Sequence, residues 1–347
     1  MKKTVLLVGS LLILLPAISQ NTELNKKKIQ AEQIYNQAID NISMQDYNAA
    51  VSELDRAIQL YPAFALAYLQ RGKALFQLQN GYLAISDFDK AIEINQGLGE
   101  AYFCRAYAQF TLDTSLVNIS DFDNAVKYGY GEPQTYYYRG LVKLIRGDNN
   151  GAVIDFSKAI EVRPNYSRAY HDRGTARKRT GDYQGAIYDY RMALSYNPNI
   201  AIAYDNMGSS KKLIGDFQGA EKDFSLAIEL DTSFYMAYNN RGGARFVLGD
   251  LKGAKADFEK ALELHPGYVY ALCNMGNVYV KEGDYEKALD LYNQVIFSLP
   301  GYGIAYLNRG LTKELTGDLT GACEDWKQAA DLGIQDADGY YKECEQQ

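Results

Sequence analysis

Residues 201–234 read AIAYDNMGSSKKLIGDFQGAEKDFSLAIELDTSF, and the next stretch, 235–268, reads YMAYNNRGGARFVLGDLKGAKADFEKALELHPGY. Laid one under the other they agree at Tyr204 and Tyr238, Asn206 and Asn240, Gly208 and Gly242, Gly215-Asp216 and Gly249-Asp250, Ala220 and Ala254, and Phe224 and Phe258, without a gap. A period of 34 residues carried without insertion outranks any local reading, because it fixes the unit from which the fold is built. Followed outward, the small residue recurs at Ala38, Gly72, Ala106, Gly140, Gly174, Gly208, Gly242, Gly276 and Gly310. Nine units therefore begin at Ala31, Ala65, Gly99, Pro133, Ser167, Ala201, Tyr235, Val269 and Gly303 and run from 31 to 336.

Each unit spells out a helical hairpin. An aromatic stands four residues before the small residue (Tyr68, Tyr102, Tyr136, Tyr170, Tyr204, Tyr238, Tyr306), and an alanine stands twelve after it in eight units, from Ala50 to Ala322. Two small residues facing each other let two helices approach closely, while the ring fills the space beside the contact. A second aromatic (Phe88, Phe156, Tyr190, Phe224, Phe258, Tyr292, Trp326), followed three residues on by alanine in most units, marks one face of the second helix. Between the helices Gly-Asp recurs from Gly147-Asp148 to Gly317-Asp318, a left-handed stop followed by an N-cap. Pro62, Pro164, Pro198, Pro266 and Pro300 end the second helix.

These small, aromatic, alanine and proline columns on a 34-residue period resemble the tetratricopeptide repeat family, over residues 31 to 336. The resemblance implies an all-α fold, a right-handed α-solenoid of about nine hairpins with a concave groove lined by the first helices. Residues 337–347 are expected to add a capping helix over the exposed end of the stack. Unit three breaks the pattern, with Ala106 for glycine, Thr114 for aspartate and Tyr128-Gly129-Tyr130-Gly131 in place of the proline. That irregularity reads either as local looseness or as a hinge or side-entry surface.

The bulk properties narrow the function. A hydrophobic fraction of 47% with 23% charged residues suits a folded chain. The formal charge of -7, more negative still without Lys2 and Lys3, repels phosphate backbones, so nucleic acid is not expected as a partner. Lys2-Lys3, the apolar run from Val5 to Leu15, Pro16 and Ala17-Ile18-Ser19 read as a signal peptide over 1–19, cleaved after Ser19, with a linker at 20–30. The mature protein is then expected in the periplasm or outside the cell, without membrane insertion; an N-terminal membrane anchor is the alternative. The chain has two histidines, His171 and His265, in separate units. With no phosphate-binding glycine loop and no metal-spaced cluster, no enzyme activity, cofactor or metal is expected.

The nine units serve as each other's comparison set. Arg71, Arg105, Arg139, Arg173, Arg241 and Arg309 each have an aspartate sixteen residues later, which reads as an ion pair within the unit. Met207 is the mismatch, opposite Asp223. One residue before that column stand Asn206, Asn240, Asn274 and Asn308, at a position that in the resembled family faces the groove. A ladder of amides, each both donor and acceptor, would grip the backbone of an extended peptide, as similar ladders in long repeats of this family do. Ordinary solvated amides, or amides bonded between helices, are the other reading of the same four residues. By the family's pattern Phe103, Tyr107, Tyr137, Tyr138 and His171 also face the groove and would suit peptide aromatics or sugar faces, unless they pack between first helices. The family's carboxylate clamp fails, because its first lysine column here reads Tyr35, Leu69, Phe103, Tyr137, His171, Asp205, Asn239, Cys273 and Leu307. Cys323 and Cys344 are near enough in sequence to bridge in an oxidising compartment, while Cys104 and Cys273 are expected as buried thiols. The expected function is a protein-interaction scaffold of the cell envelope holding a polypeptide segment in its groove; a glycan or envelope polymer is the alternative ligand.

Overall fold

The structure, a computed structural model, describes residues 8–344, with side chains from Thr22 onward. Among them are nineteen α-helices and no strand. The chain divides into two compact units, Met1–Pro164 and Asn165–Gln347. The first contains α1 (Val8–Ser43), α2 (Tyr47–Leu60), α3 (Ala65–Gln77), α4 (Gly81–Ile94), α5 (Gly99–Leu112), α6 (Ile119–Lys127), α7 (Pro133–Ile145) and α8 (Asn149–Val162). The second contains α9 (Ser167–Arg179), α10 (Tyr183–Tyr196), α11 (Ala201–Leu213), α12 (Phe217–Leu230), α13 (Tyr235–Leu248) and α14 (Leu251–Leu264). It continues through α15 (Val269–Glu282), α16 (Tyr285–Ser298), α17 (Gly303–Leu315), α18 (Leu319–Asp331) and the capping helix α19 (Gln335–Cys344). Within each unit odd and even helices pair as hairpins, and neighbouring first helices touch in turn, as α11, α13, α15 and α17 do. This stacking of hairpins is an α-solenoid.

The turns work by two devices. At Gly181 the backbone stands at φ +84°, a left-handed conformation that costs glycine nothing. Asp182 then accepts the Gly185 N–H at 2.9 Å and caps α10. In the first unit Gln45 and Gln79 hold the left-handed position instead, at φ +63° and +62°.

The small-residue column sets how closely the helices of a hairpin approach. A Cβ placed on Gly242 would lie 2.6 Å from Phe258 Cε1, so the ring packs against bare backbone. Gly72 stands in the same relation to Phe88, and Gly276 to Tyr292. The aromatic column four residues earlier has a second role, because the guanidinium of the following arginine lies over its ring. Arg71 lies over Tyr68 at 5.3 Å and Arg241 over Tyr238 at 5.6 Å.

The expected pairing of arginine with its own unit's acid is present, and it is half of a larger bond set. Arg71 grips Asp87 through Nε at 2.8 Å and Nη2 at 2.6 Å, and its remaining Nη1 reaches back to Asp55 of the preceding hairpin at 2.5 Å. Arg105 and Arg139 repeat this, reaching back to Asp89 and Asp123. Arg241 uses Ser225 for the backward bond and Arg309 uses Asn293. One planar fork thus ties two hairpins together, which a lysine could not do in the same geometry. The acids held by the two-bond grip within the unit are buried, Asp155 and Asp189 fully, and a bidentate cation is what makes that burial tolerable, whereas Asp55 is half-buried and Asp89 and Asp123 are exposed.

The leader expected at residues 1–19 lies outside the residues described with side chains. Residues 20–30, expected as a linker, are helical within α1. The stretch has no glycine or proline, carries three lysines and two glutamines, which are good helix formers, and pairs Glu23 with Lys27 at 3.4 Å.

Unit three is irregular but filled. Asp113 turns the chain through a short 3-10 segment, Thr114–Leu116, and α6 is only nine residues long. Val117 is buried and its carbonyl accepts from Arg146 Nη2 at 2.8 Å. Tyr128 stacks on Tyr102, and Tyr130 packs on Phe103 at 5.2 Å. The rings of the Tyr-Gly-Tyr-Gly turn occupy the volume that a shorter second helix leaves.

Candidate functional site: an amide-lined groove

The four ladder asparagines lie half-buried on α11, α13, α15 and α17, the first helices of the second unit. Each sends its amide nitrogen to the preceding hairpin. Asn240 Nδ2 donates to Asp205 Oδ1 at 2.9 Å and Asn274 Nδ2 to Asn239 Oδ1 at 2.9 Å. Asn308 Nδ2 donates to Asn277 Oδ1 at 3.0 Å, with Cys273 Sγ at 3.6 Å. Asn206 contacts His171 Nε2 at 3.4 Å through Nδ2 and accepts from Lys178 Nζ at 3.0 Å. The ladder is therefore made of bonds between helices, and those bonds orient it. An ionised Asp205 can only accept, which fixes the Asn240 amide with its nitrogen inward. The Oδ1 atoms of Asn240, Asn274 and Asn308 make no hydrogen bond among the described residues, and none is sealed from solvent. Three acceptors are thus left open along one face.

The surroundings of the ladder are partly desolvated. Burial raises the Asp205 carboxyl above the usual carboxylate range, against the lowering effect of the Asn240 bond. Burial likewise lowers the Lys178 and Lys212 ammonium groups, with Asp205 acting in the opposite sense. Beside the ladder a cleft of about 380 Å³ opens between α11, α13 and α15, lined by Leu213, Phe217, Phe246, Val247, Asn274 and Asn277 among others. A smaller one of about 160 Å³ follows between Phe246, Asn277, Val280, Asn308 and Leu311.

The ring set is distributed differently from the sequence expectation. Phe103, Tyr107, Tyr137 and Tyr138 gather in the first unit, where they pack on one another. Phe103 and Tyr107 are parallel at 5.9 Å, Tyr107 and Tyr138 lie 4.7 Å apart, and Tyr137 meets Tyr138 edge-on at 5.2 Å. Tyr137 is 6% exposed and also packs on Phe156. His171 belongs to the second unit, on α9, where Nδ1 lies 2.9 Å from Asp172 and the ring packs on Tyr190.

Cys323 and Cys344 are joined in a disulfide, Cα atoms 5.9 Å apart, which ties α19 to α18. Cys273 is buried and Cys104 partly so; burial pushes the thiol of Cys273 up to about 11 and that of Cys104 up to about 12. Among the described residues no group of three or more His, Cys, Asp or Glu is placed to hold a metal ion. No helix among them is long and apolar enough to cross a membrane.

Residues 233–296 match one tetratricopeptide repeat family model, and residues 35–98 and 273–337 match a second. No curated protein matches the chain. Among solved structures it is similar to the C-terminal part of a TPR repeat-containing protein from Cytophaga hutchinsonii, at 19% identity and a TM-score of 0.56, over 69% of this chain and 98% of that one. It is also similar to Pseudomonas aeruginosa pilF, at 21% identity and a TM-score of 0.52, over 61% of this chain and 96% of that one. At such identities the likeness concerns the fold. The family-model matches, with the repeat columns and hairpin geometry, identify the hairpins of this chain as tetratricopeptide repeats. The fold is that of a protein–protein interaction scaffold, and repeat proteins of this kind are generally non-catalytic.

Proposed function

We propose that this chain is a non-catalytic scaffold of the cell envelope that holds an extended polypeptide segment along the α11–α17 face of its second unit. The observation that carries the reading is the row of open Oδ1 acceptors on Asn240, Asn274 and Asn308, each fixed by the bond its own nitrogen makes to the neighbouring hairpin. An extended peptide presents N–H groups that such acceptors can take without reading side chains, and prior fixation of the amides reduces the entropy lost on binding. The envelope assignment is supported by the leader-like residues 1–19 and by the Cys323–Cys344 bridge, a bond that persists in oxidising compartments.

The saccharide alternative would need open ring faces, and the rings proposed for it spend theirs on each other. The test is site-specific photo-crosslinking in envelope extract, with the probe at Val247 beside the ladder or at Phe297, 89% exposed on α16. Polypeptide adducts at Val247 and none at Phe297 are expected. Equal labelling of both, or saccharide adducts alone, would overturn the reading.

A further inference from the structure

The larger cleft beside the ladder has one unusual wall. In the column two residues after the arginine the other hairpins carry side chains, among them Tyr107, Leu141, Asn277 and Leu311, but α13 carries Gly243. A Cβ built on Gly243 would meet nothing within 4 Å, so the glycine answers no packing need of the chain itself. Its absent side chain is what leaves the cleft open. Leu213, Phe217, Phe246 and Val247 supply apolar walls, and Leu213 and Val247 are 55% and 57% exposed.

At the same cleft stands Lys212, half-buried, its ammonium without a hydrogen bond or ion pair among the described residues. Its neighbour in the amino-acid sequence, Lys211, is engaged with Asp223 at 2.7 Å, and Lys178 is held by Asn206. Asp205 acts on Lys212 only without direct contact, and a partly desolvated cation that makes no ion pair favours an anion at that place. The open acceptors of Asn240, Asn274 and Asn308 continue past the cleft onto α17, so a bound segment runs through it and does not end there.

We infer that the Gly243 cleft is the specificity pocket of the groove, taking one aliphatic or aromatic side chain of the bound segment while Lys212 pairs with an aspartate or glutamate side chain beside it. This inference rests on the peptide-holding reading above and adds to it the chemistry of the ligand. The probe is a positional-scanning library of N-acetylated, C-amidated octapeptides, which carry no terminal carboxylate, captured on the full chain and sequenced. Enrichment of an apolar residue next to Asp or Glu is expected. Gly243→Leu, which imports the residue of two sister hairpins into open space, should weaken the selected peptide by roughly ten-fold or more, the worth of one buried aliphatic side chain. Lys212→Gln should erase the acidic preference and keep the apolar one. Thermal unfolding of both variants at the parent temperature would show that the fold is intact. Binding without apolar or acidic preference, or an unchanged preference in Gly243→Leu, overturns the pocket alone. Capture of no octapeptide by the parent chain overturns the peptide-holding reading and the pocket with it.

Discussion

Asn240 donates its side-chain nitrogen to the buried carboxylate of Asp205, thirty-five residues upstream, at 2.9 Å. The groove's amide and the spine that joins α11 to α13 are therefore one interaction. Removing it strips a donor from an acid that is 7% exposed, and a buried acceptor left unpaired costs more than the bond itself contributes. Asn240→Ala should lower stability in urea by about 1–3 kcal/mol, and Asn274→Ala, whose acceptor is the neutral Asn239, by less. Equal losses would mean that the charge on Asp205 is not what the bond serves. Any binding defect of an alanine variant on the ladder has to be read beside such a measurement.

Met207 stands where six other hairpins place arginine, and its partner Asp223 shows the consequence. Lys211 lies 2.7 Å from Asp223 Oδ2, but that oxygen makes no aligned hydrogen bond, and burial raises the carboxyl above the usual carboxylate range. Met207→Arg should supply the missing fork and stabilise the chain by about 1–3 kcal/mol at neutral pH. The pH dependence has a definite sign. A carboxyl whose folded value exceeds its unfolded value of about 3.9 favours the folded state below 3.9 and loses that contribution as pH rises through the folded value. The advantage of the arginine variant should therefore grow as pH is raised from about 4, where the fork begins to meet a charged partner. An advantage independent of pH would show that the gain comes from packing.

Gly242 and Phe258 test the close approach inside a hairpin. Gly242→Ala forces a methyl against the ring and should cost about 1–3 kcal/mol of stability. The first hairpin shows an alternative solution to the same contact, Ala38 opposite Leu54, both fully buried. The double variant Gly242→Ala/Phe258→Leu should recover part of what the single variant loses. A double-variant loss equal to the sum of the single losses would mean that the ring and the glycine are not coupled.

The hairpins were legible because one unit could be compared with the next. The Gly-Asp turns, the small-residue contact and the forward half of the arginine fork all lie within a single period, so a column is enough to find them. Bonds between hairpins were not readable in that way. A 34-residue period says which residues are equivalent but leaves open how far one hairpin is rotated on the next, and that rotation decides which columns touch. Hence Arg71 to Asp55 was missed, although Asp55, Asp89 and Asp123 form a column of their own, and so was Asn240 to Asp205. For the ring residues the two readings, open to a ligand or packed between first helices, could not be separated by columns for a related reason, and Phe103, Tyr107 and Tyr138 pack on one another. Gly243 carried a signal of a different sort, an empty place in a column of side chains, which gains meaning only when the space beside it is seen to be open.

The capping helix depends on its covalent tie. Among the described residues Ala337 is the one buried position of α19, and Tyr340 adds a stack on Trp326 at 5.0 Å. So small an apolar contact does not hold ten residues in place against their conformational entropy. The Cys323–Cys344 bridge, closing a separation of 21 residues, contributes about 3 kcal/mol in the chain-entropy account. Reduction, or either Cys323→Ser or Cys344→Ser, should free α19 and expose residues 333–344 to limited proteolysis, with the earlier hairpins left intact. Alkylation at neutral pH should label almost nothing before reduction and then Cys323 and Cys344, because burial keeps Cys104 and Cys273 in the unreactive thiol form. Rapid labelling of Cys104 in the unreduced chain would contradict the packing of α5, and a tail that stays protected after reduction would show that the ring stack alone suffices.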